Sequence, residues 1–553
     1  MNRRPFFLAG VLGFSPGPGT PSSRDDPPPD PSPVSLPIFR LEPPKLDEKA
    51  LQLLAKQAFG IEAKVTPVGK DRLRLVAGNW IVELYTVSGG IWAADRERLW
   101  NPDLSPDLPD ADKARTLADE FLKATGLLSR RSPEVAFVRR QEQPSTQVAF
   151  FDVKSCKRTG HKLDIQVNYV AQIKVAGAGG KPLTLPVVGG GGEFNVILGD
   201  KGKVIGFSGV WRPIDKIEKE AKLVSKEVIH EAARKMLEVR GVKIIALESS
   251  LAYYSAPASE AQAFLYPVWV VRARVTAAEK TFDVRTLYFS ATERPPAPPA
   301  QESKRTPSTR PDPCSLVPEE SKDQVTQREA GASWQRVGPA EQNVDGFLDG
   351  LRNDGWTINF NWGEADAWES DWNAYNNDWV DAADIVFFTG HASKEAWLLV
   401  DATTGVSDPL TADETAPPKD PEGDLWGNND VEWIIIAACG PLQDEVVSHG
   451  DGSAIQRRKD AFNGLHQLLG YASVSDSTPD EGKLFVRYCL DGETVINSWF
   501  RTAKEVQPPE TYAAVMYACD EVSSPFEDCL WGHGTVAPDP VNPTQYVVMW
   551  SPC

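Results

Sequence analysis

The sequence predicts a multidomain protein. An N-terminal α+β region of helix-plus-antiparallel-sheet repeats precedes a C-terminal α/β region built on a mostly parallel sheet. Three observations carry this reading. The 553 residues are several times the usual domain size of roughly 100–200 residues. A composition of 41% hydrophobic, 24% charged and 9% aromatic residues is that of packed globular cores. The hydrophobic patterning also changes character across a Pro-, Ser- and charge-rich stretch at 294–339, which reads as a linker between two independent cores.

Charge narrows the partners. A net charge of −19 argues against duplex nucleic acid, where binding rests on neutralising phosphates with Lys and Arg, and against an anionic membrane surface. No apolar run approaches the roughly 20 residues needed to span a bilayer. The charge is also divided: from Ala330 onward 11 Lys+Arg face 37 Asp+Glu, a net of −26, while the preceding segment nets +7. Long-range attraction between the halves predicts intramolecular docking of the N-terminal region on the C-terminal one, within the roughly 8 Å reach that physiological salt leaves to exposed charge.

The first 44 residues predict a mobile tail, rich in Pro, Ser, Gly and Asp from about residue 15. Its start, Arg3-Arg4-Pro5 followed by the apolar stretch from Phe6 to Phe14, has the two parts of a secretory signal but no evident cleavage site. The compartment stays open between export, the cell surface and the cytoplasm. Seven cysteines, an odd number, include no CxxC pair, so no structural metal and no cofactor is implied. Cys519 and Cys529 are close enough in sequence to pair in an oxidising compartment.

From residue 45 to 293 helical spacing alternates with strand patterning. Lys45 to Phe59, Asp110 to Leu128 and Ser225 to Arg240 carry apolar residues at helical intervals. Runs of alternating character follow each helix. Glu193–Leu198 and Val204–Val210, joined by Gly199-Asp200-Lys201-Gly202, form a hairpin signature. This is the plan of helices laid on antiparallel sheets.

After the linker, region 340–553 alternates helix and strand. Helices are predicted over 342–356, 457–465, 481–490 and 494–506, and strands over 384–389, 431–438, 468–474 and 512–518. Near-continuous apolar strands between helices indicate a parallel sheet buried on both faces. Ligands of such sheets gather at the strand carboxyl ends. Two ends stand out there: Asp384-Ile385-Val386-Phe387-Phe388-Thr389-Gly390 runs into His391, and Glu432-Trp433-Ile434-Ile435-Ile436-Ala437-Ala438 runs into Cys439. A thiol beside an imidazole is a nucleophile beside a proton acceptor.

Apolar strand, Thr389-Gly390-His391, a gap of 48 residues, then apolar strand and Ala438-Cys439-Gly440 resembles the caspase-like cysteine peptidases, the clan of gingipains, legumains and metacaspases. The resemblance covers roughly 340–553 and implies a three-layer sandwich. It implies His391 as general base and acid, Cys439 as nucleophile, and the backbone amides of Ala392 and Cys439 as the oxyanion hole. It also implies a protein or peptide substrate. Ala392 stands where the clan carries glycine, and a positive φ there would be strained. The clan's pocket wall maps onto the strand delivering Ser475, Asp476 and Ser477, where Asp476 would pair with a basic substrate side chain. More weakly, the hairpin and the segment ending Tyr266-Pro267-Val268-Trp269-Val270-Val271 resemble propeptide-type repeats found ahead of some secreted bacterial peptidases.

The expected function is therefore a cysteine endopeptidase using a His/Cys dyad, with cleavage after basic residues and regulation by its N-terminal region. Release by a cut near Lys304, Arg305, Arg310 or Arg328 would suit that preference. The alternative is a non-catalytic binding or scaffold protein with a degenerate caspase-like domain. Transpeptidation by the same dyad is indistinguishable from hydrolysis at this level. Other candidates are weaker. Trp531-Gly532-His533-Gly534-Thr535 has no matching nucleophile segment, His161, His230, His449 and His466 have no partner at ligand spacing, and the tryptophans between 356 and 379 follow no strict heptad and suggest packing or a substrate rim.

Overall fold

The computed structural model describes residues 34–45, 47–127, 132–177, 180–296, 305, 328–415, 425–447 and 450–553. The signal-like start, most of the linker with Lys304, Arg310 and Cys314, and His449 lie outside them.

Local chemistry sets the N-terminal helices. Glu48–Phe59 begins where the Asp47 carboxylate accepts from the Ala50 N–H at 2.9 Å and ends at Gly60, whose φ of 69° closes the helix in the left-handed region. Ala111–Thr125 begins the same way on Asp110 and buries Ala114, Ala118 and Leu122, a stripe at i, i+4 and i+8. Lys226–Leu237 buries Ile229, Ala233 and Leu237 on an equivalent stripe. These helices accompany a 15-stranded sheet that contains the expected antiparallel hairpin of Glu193–Leu198 and Val204–Val210. That sheet begins earlier than the sequence predicts. Ser35–Leu41, inside the stretch read as tail, is a strand with Leu36, Phe39 and Leu41 buried, and it pairs with Ile214–Lys222.

The second sheet runs, edge to edge, Thr357–Gly363, Glu329–Trp334, Ile385–Gly390, Trp433–Ala438, Gln467–Tyr471, Tyr512–Cys519, Gln545–Pro552, Gln147–Asp152 and Lys157–Lys162. The first five strands are parallel and the remaining junctions antiparallel. The sheet is thus mixed rather than mostly parallel, and the protein is multidomain and sheet-rich with intermingled parts. Glu329–Trp334 lies within the stretch read as linker, so the second part starts before 340. Helix 457–465 shrinks to Ala454–Arg458 followed by a 3-10 turn.

The largest departure is the provenance of the last two strands, which come from the N-terminal region. Tyr546 faces Phe151 and Met549 faces Val148 across the junction. Val148, Trp92, Trp100 and Ile197 share one buried cluster with Phe347, Ile435, Trp499 and Phe500. The two halves therefore do not have independent cores. Gln545–Pro552 is almost wholly buried and apolar; left as an edge it would expose a row of unpaired backbone groups beside apolar side chains.

Ion pairs cross the same boundary. Glu83, fully buried, accepts from Arg72 at 3.1 Å, from Arg74 at 2.5 Å and from Arg501. Arg72 also reaches Asp491 at 2.5 Å, and Arg487 meets Asp71 at 2.5 Å. Burial alone would raise the Glu83 carboxyl, but Arg501, Arg72 and Arg74 outweigh it and hold the group down to about 2. A depressed carboxylate contributes stability that is present above its unfolded pKa of about 4 and lost as pH falls toward the folded value. Glu83→Ala, which strands Arg501 and Arg72 in the interior, is expected to lower unfolding free energy at pH 7 by about 3–5 kcal/mol in chemical denaturation. A protease site inserted at 311–320 and cut should leave two fragments that co-elute on gel filtration, since the shared sheet does not need the intact linker.

Candidate functional site

The two strands that lead into the predicted dyad are neighbours. Ile385–Gly390 and Trp433–Ala438 pair in parallel with Gly390 opposite Ala438, and every residue of both is buried. Paired strands lie about 4.8 Å apart, so the next residues along each, His391 and Cys439, leave the sheet at one carboxyl edge. Gly440 then turns the chain away with a φ of 77°, a conformation open to glycine and strained for most other residues. Ala392 is not among the residues with positive φ. The strain expected from losing glycine there does not arise.

Residues 327–552 match a domain of unknown function, DUF6345. The match opens just ahead of Glu329–Trp334 and so agrees with a second part that begins before residue 340. No curated protein matches the chain. A solved structure of an uncharacterized protein from Eubacterium rectale ATCC 33656 is similar at 9% identity, over 47% of this chain and 85% of that one, with a TM-score of 0.25.

Within the DUF6345 stretch both members of the dyad are closed off. His391 is 1% and Cys439 2% exposed. Burial pushes the His391 imidazole down to about 4, so it is neutral at pH 7, and neither ring nitrogen has a hydrogen-bond partner among the described residues. Burial pushes the Cys439 thiol up to about 12. Its sulfur accepts from the Ser475 N–H at 3.5 Å and lies 3.9 Å from the Ser475 Oγ. Sequence reasoning expects an imidazole to favour thiolate; in this closed arrangement desolvation dominates, and the pair rests as neutral thiol and neutral imidazole.

What closes the site comes from the other half of the chain. Asp283 forms a β-bridge with Ala392, and Thr286 forms one with Asp476. The Thr286 N–H donates to the Ser475 carbonyl at 2.9 Å, and the Ser477 N–H donates to the Thr286 carbonyl at 2.9 Å. Between these anchors Arg285 is fully buried. Its Nη1 donates to the Thr389 Oγ1 at 2.9 Å, the Ala437 carbonyl at 2.7 Å and the Glu481 Oε2 at 3.0 Å. Its Nη2 donates to the Asp476 carbonyl at 2.6 Å and the Glu481 Oε1 at 3.0 Å. Burial opposes the guanidinium charge, and Glu481 more than offsets it.

Ser475 and Asp476 thus reach the site, but the acid that meets an arginine is Glu481. The Asp476 carboxylate receives the Tyr288 hydroxyl instead, and only its backbone carbonyl touches Arg285. Neither Arg285 nor Glu481 was singled out from the sequence. The one available signal was a glutamate opening the largely buried helix Glu481–Leu490; that an arginine nearly two hundred residues upstream would meet it was not legible.

The remaining candidates resolve as structure. Trp372, Trp397 and Trp426 pack edge-on in a buried cluster. Trp362, Trp368 and Trp379 surround the Arg305 guanidinium at 4.3, 3.8 and 4.8 Å, and Asp371 pairs with it at 2.7 Å. Arg328 is paired with Asp354 at 3.0 Å, as is His533 at 2.8 Å. Cys519 and Cys529 are free thiols. Two cavities lie elsewhere, one among Trp92, Glu193, Arg501 and Lys504 and one among Tyr254, Glu260, Phe264 and Asp480.

The opposite, amino-terminal ends of the parallel strands carry a row of ionisable residues. Glu329 opens one strand, and Asp384, Glu432 and His466 each immediately precede one. Carboxylate oxygens of Glu329, Asp384 and Asp430 lie within 4.8 Å of one another and are the described group best placed to hold a hard cation. Burial first, then Asp430 and Glu329, raise the Asp384 carboxyl, while the Glu329 N–H bond opposes them. A raised carboxyl contributes stability below its unfolded pKa of about 4 and loses it as pH rises through the folded value. Asp384→Asn should therefore gain stability relative to wild type between pH 5 and pH 8, by about 1 kcal/mol or more, in urea denaturation at the two pH values.

Proposed function

We propose that residues 328–553 form a caspase-like cysteine endopeptidase, with His391 as general base and acid and Cys439 as nucleophile, held in a latent state by the N-terminal region. The observation that carries this reading is the pairing of Gly390 with Ala438, which brings the two chemically apt residues to one sheet edge across a 48-residue gap. Supporting it, the sheet is covered on both faces by separate clusters: Phe347, Phe485 and Trp499 on the helical side, and Trp372, Ile455 and Phe462 on the other. A sandwich expects such cover on both faces of its sheet.

In the mechanism the Cys439 thiol gives its proton to the His391 imidazole as sulfur attacks the scissile carbonyl carbon. The oxygen gains the charge of the tetrahedral intermediate, and the backbone amides of Ala392 and Cys439 are the donors aimed at it, each worth about 3 kcal/mol. Collapse breaks the C–N bond, and the imidazolium returns its proton to the leaving amine. Water, deprotonated by the same imidazole, then attacks the thioester and frees the Cys439 thiol. An amine in place of that water gives transpeptidation.

A second reading, a non-catalytic binding or scaffold protein with a degenerate caspase-like domain, draws on the same site. Its thiol is protonated and buried, and its imidazole makes no hydrogen bond among the described residues. Turnover of a mixed peptide library, followed by mass spectrometry, separates the two. The peptidase reading expects cleavage that falls at least about 100-fold in His391→Ala and vanishes in Cys439→Ala. Cleavage undiminished in Cys439→Ala would remove it.

A further inference from the structure

We propose that the pocket floored by Glu481 is a guanidinium-recognition site for arginine side chains of peptides, and that Arg285 fills it in cis as a built-in pseudosubstrate that keeps the dyad closed. The inference rests on the peptidase reading for what the pocket would do, but its geometry stands apart from catalysis.

The pocket is shaped for a planar fork. Two Glu481 oxygens each meet one terminal nitrogen of Arg285 at 3.0 Å, and the Ala437 and Asp476 carbonyls and the Thr389 hydroxyl share the remaining protons of the same two nitrogens. This is the bidentate arrangement that arginine makes and the single ammonium of lysine does not. Glu481 is itself fixed, since it accepts from Asn343 at 3.1 Å, from Gln507 at 3.1 Å and from the Tyr471 hydroxyl. The floor therefore has a charge and orientation of its own.

The pocket also belongs to the dyad's strands. Thr389 and Ala437, which contact the guanidinium, each lie two residues before His391 and Cys439. Ser475, whose N–H meets the Cys439 sulfur, accepts from the Thr286 N–H, one residue after Arg285. The chain from Asp283 to Thr286 thus lies between the backbone at Ala392 and the pocket wall at 475–477, bonded to that wall through a single parallel β-bridge at Thr286. Strand addition with one side chain seated in a pocket is how extended peptides are recognised generally. An arginine-bearing peptide that displaces this segment would meet the same acceptors.

The test uses the full chain and a reaction that needs no catalysis: alkylation of Cys439 by iodoacetamide, located by mass spectrometry. Arg285→Ala is expected to alkylate at least tenfold faster than wild type, and millimolar agmatine, a free guanidinium, to slow it again, with butylamine far less effective. Because Arg285→Ala leaves Glu481 without its cation, the double variant Arg285→Ala with Glu481→Gln serves as a charge-neutral counterpart. It should alkylate fast and gain no protection from agmatine. Alkylation of the double variant at the wild-type rate overturns the pseudosubstrate role, and agmatine protection that survives Glu481→Gln overturns the recognition site. Fast, agmatine-protected alkylation without any peptide cleavage would leave this inference standing while removing the peptidase reading.

Discussion

A backbone ladder between the chain's last strand, Gln545–Pro552, and a strand from its first third, Gln147–Asp152, fixes the relation of everything else. It makes the N-terminal region part of the second sheet rather than a neighbour attached by a linker. Once that ladder is closed, the arginines and glutamates around Glu83 and Arg501 meet in the interior, and the segment carrying Arg285 arrives at the carboxyl edge where His391 and Cys439 emerge. Strand pairing is specific in register, so this delivery is repeatable in a way that loose electrostatic docking would not be.

The consequence for chemistry is that desolvation governs the site. A thiol and an imidazole at the mouth of an open cleft would polarise one another; under the cover of 283–288 each retains its neutral form. The same low-dielectric surroundings make the Arg285–Glu481 pair possible only because every oxygen of Glu481 is engaged, and because the guanidinium shares its protons with the Ala437 and Asp476 carbonyls and the Thr389 hydroxyl. Burial of a charge without such partners is strongly unfavourable. The amino-terminal ends of the parallel strands show the reverse case, where Glu329, Asp384, Asp430 and Glu432 crowd together and their carboxyls are raised.

Much of the secondary structure was legible in the sequence. The helices at 48–59, 111–125 and 226–237 follow from apolar stripes, the first two bounded by caps, and the strands at 385–390 and 433–438 from unbroken apolar runs. Ser35–Leu41 was hidden by its Pro-rich approach, and Glu329–Trp334 by the small residues Ala330, Gly331, Ala332 and Ser333, which lack a strand's usual bulk. His391 and Cys439 were singled out because each stands where an apolar run stops. Asp476 was the natural acid to suspect beside the cysteine strand; the acid that meets Arg285 is Glu481, at the start of the following helix.

The sequence by itself determined the local elements, the order of the two strand ends with their histidine and cysteine, and the opposed charges of the two halves, because these depend on periodicity and composition within short windows. Tertiary structure alone decided that the halves share a sheet, that an arginine from one is buried against Glu481 of the other, and that His391 and Cys439 are shut away from solvent. Those outcomes depend on which residues hundreds of positions apart become neighbours, and on how little water is left between them.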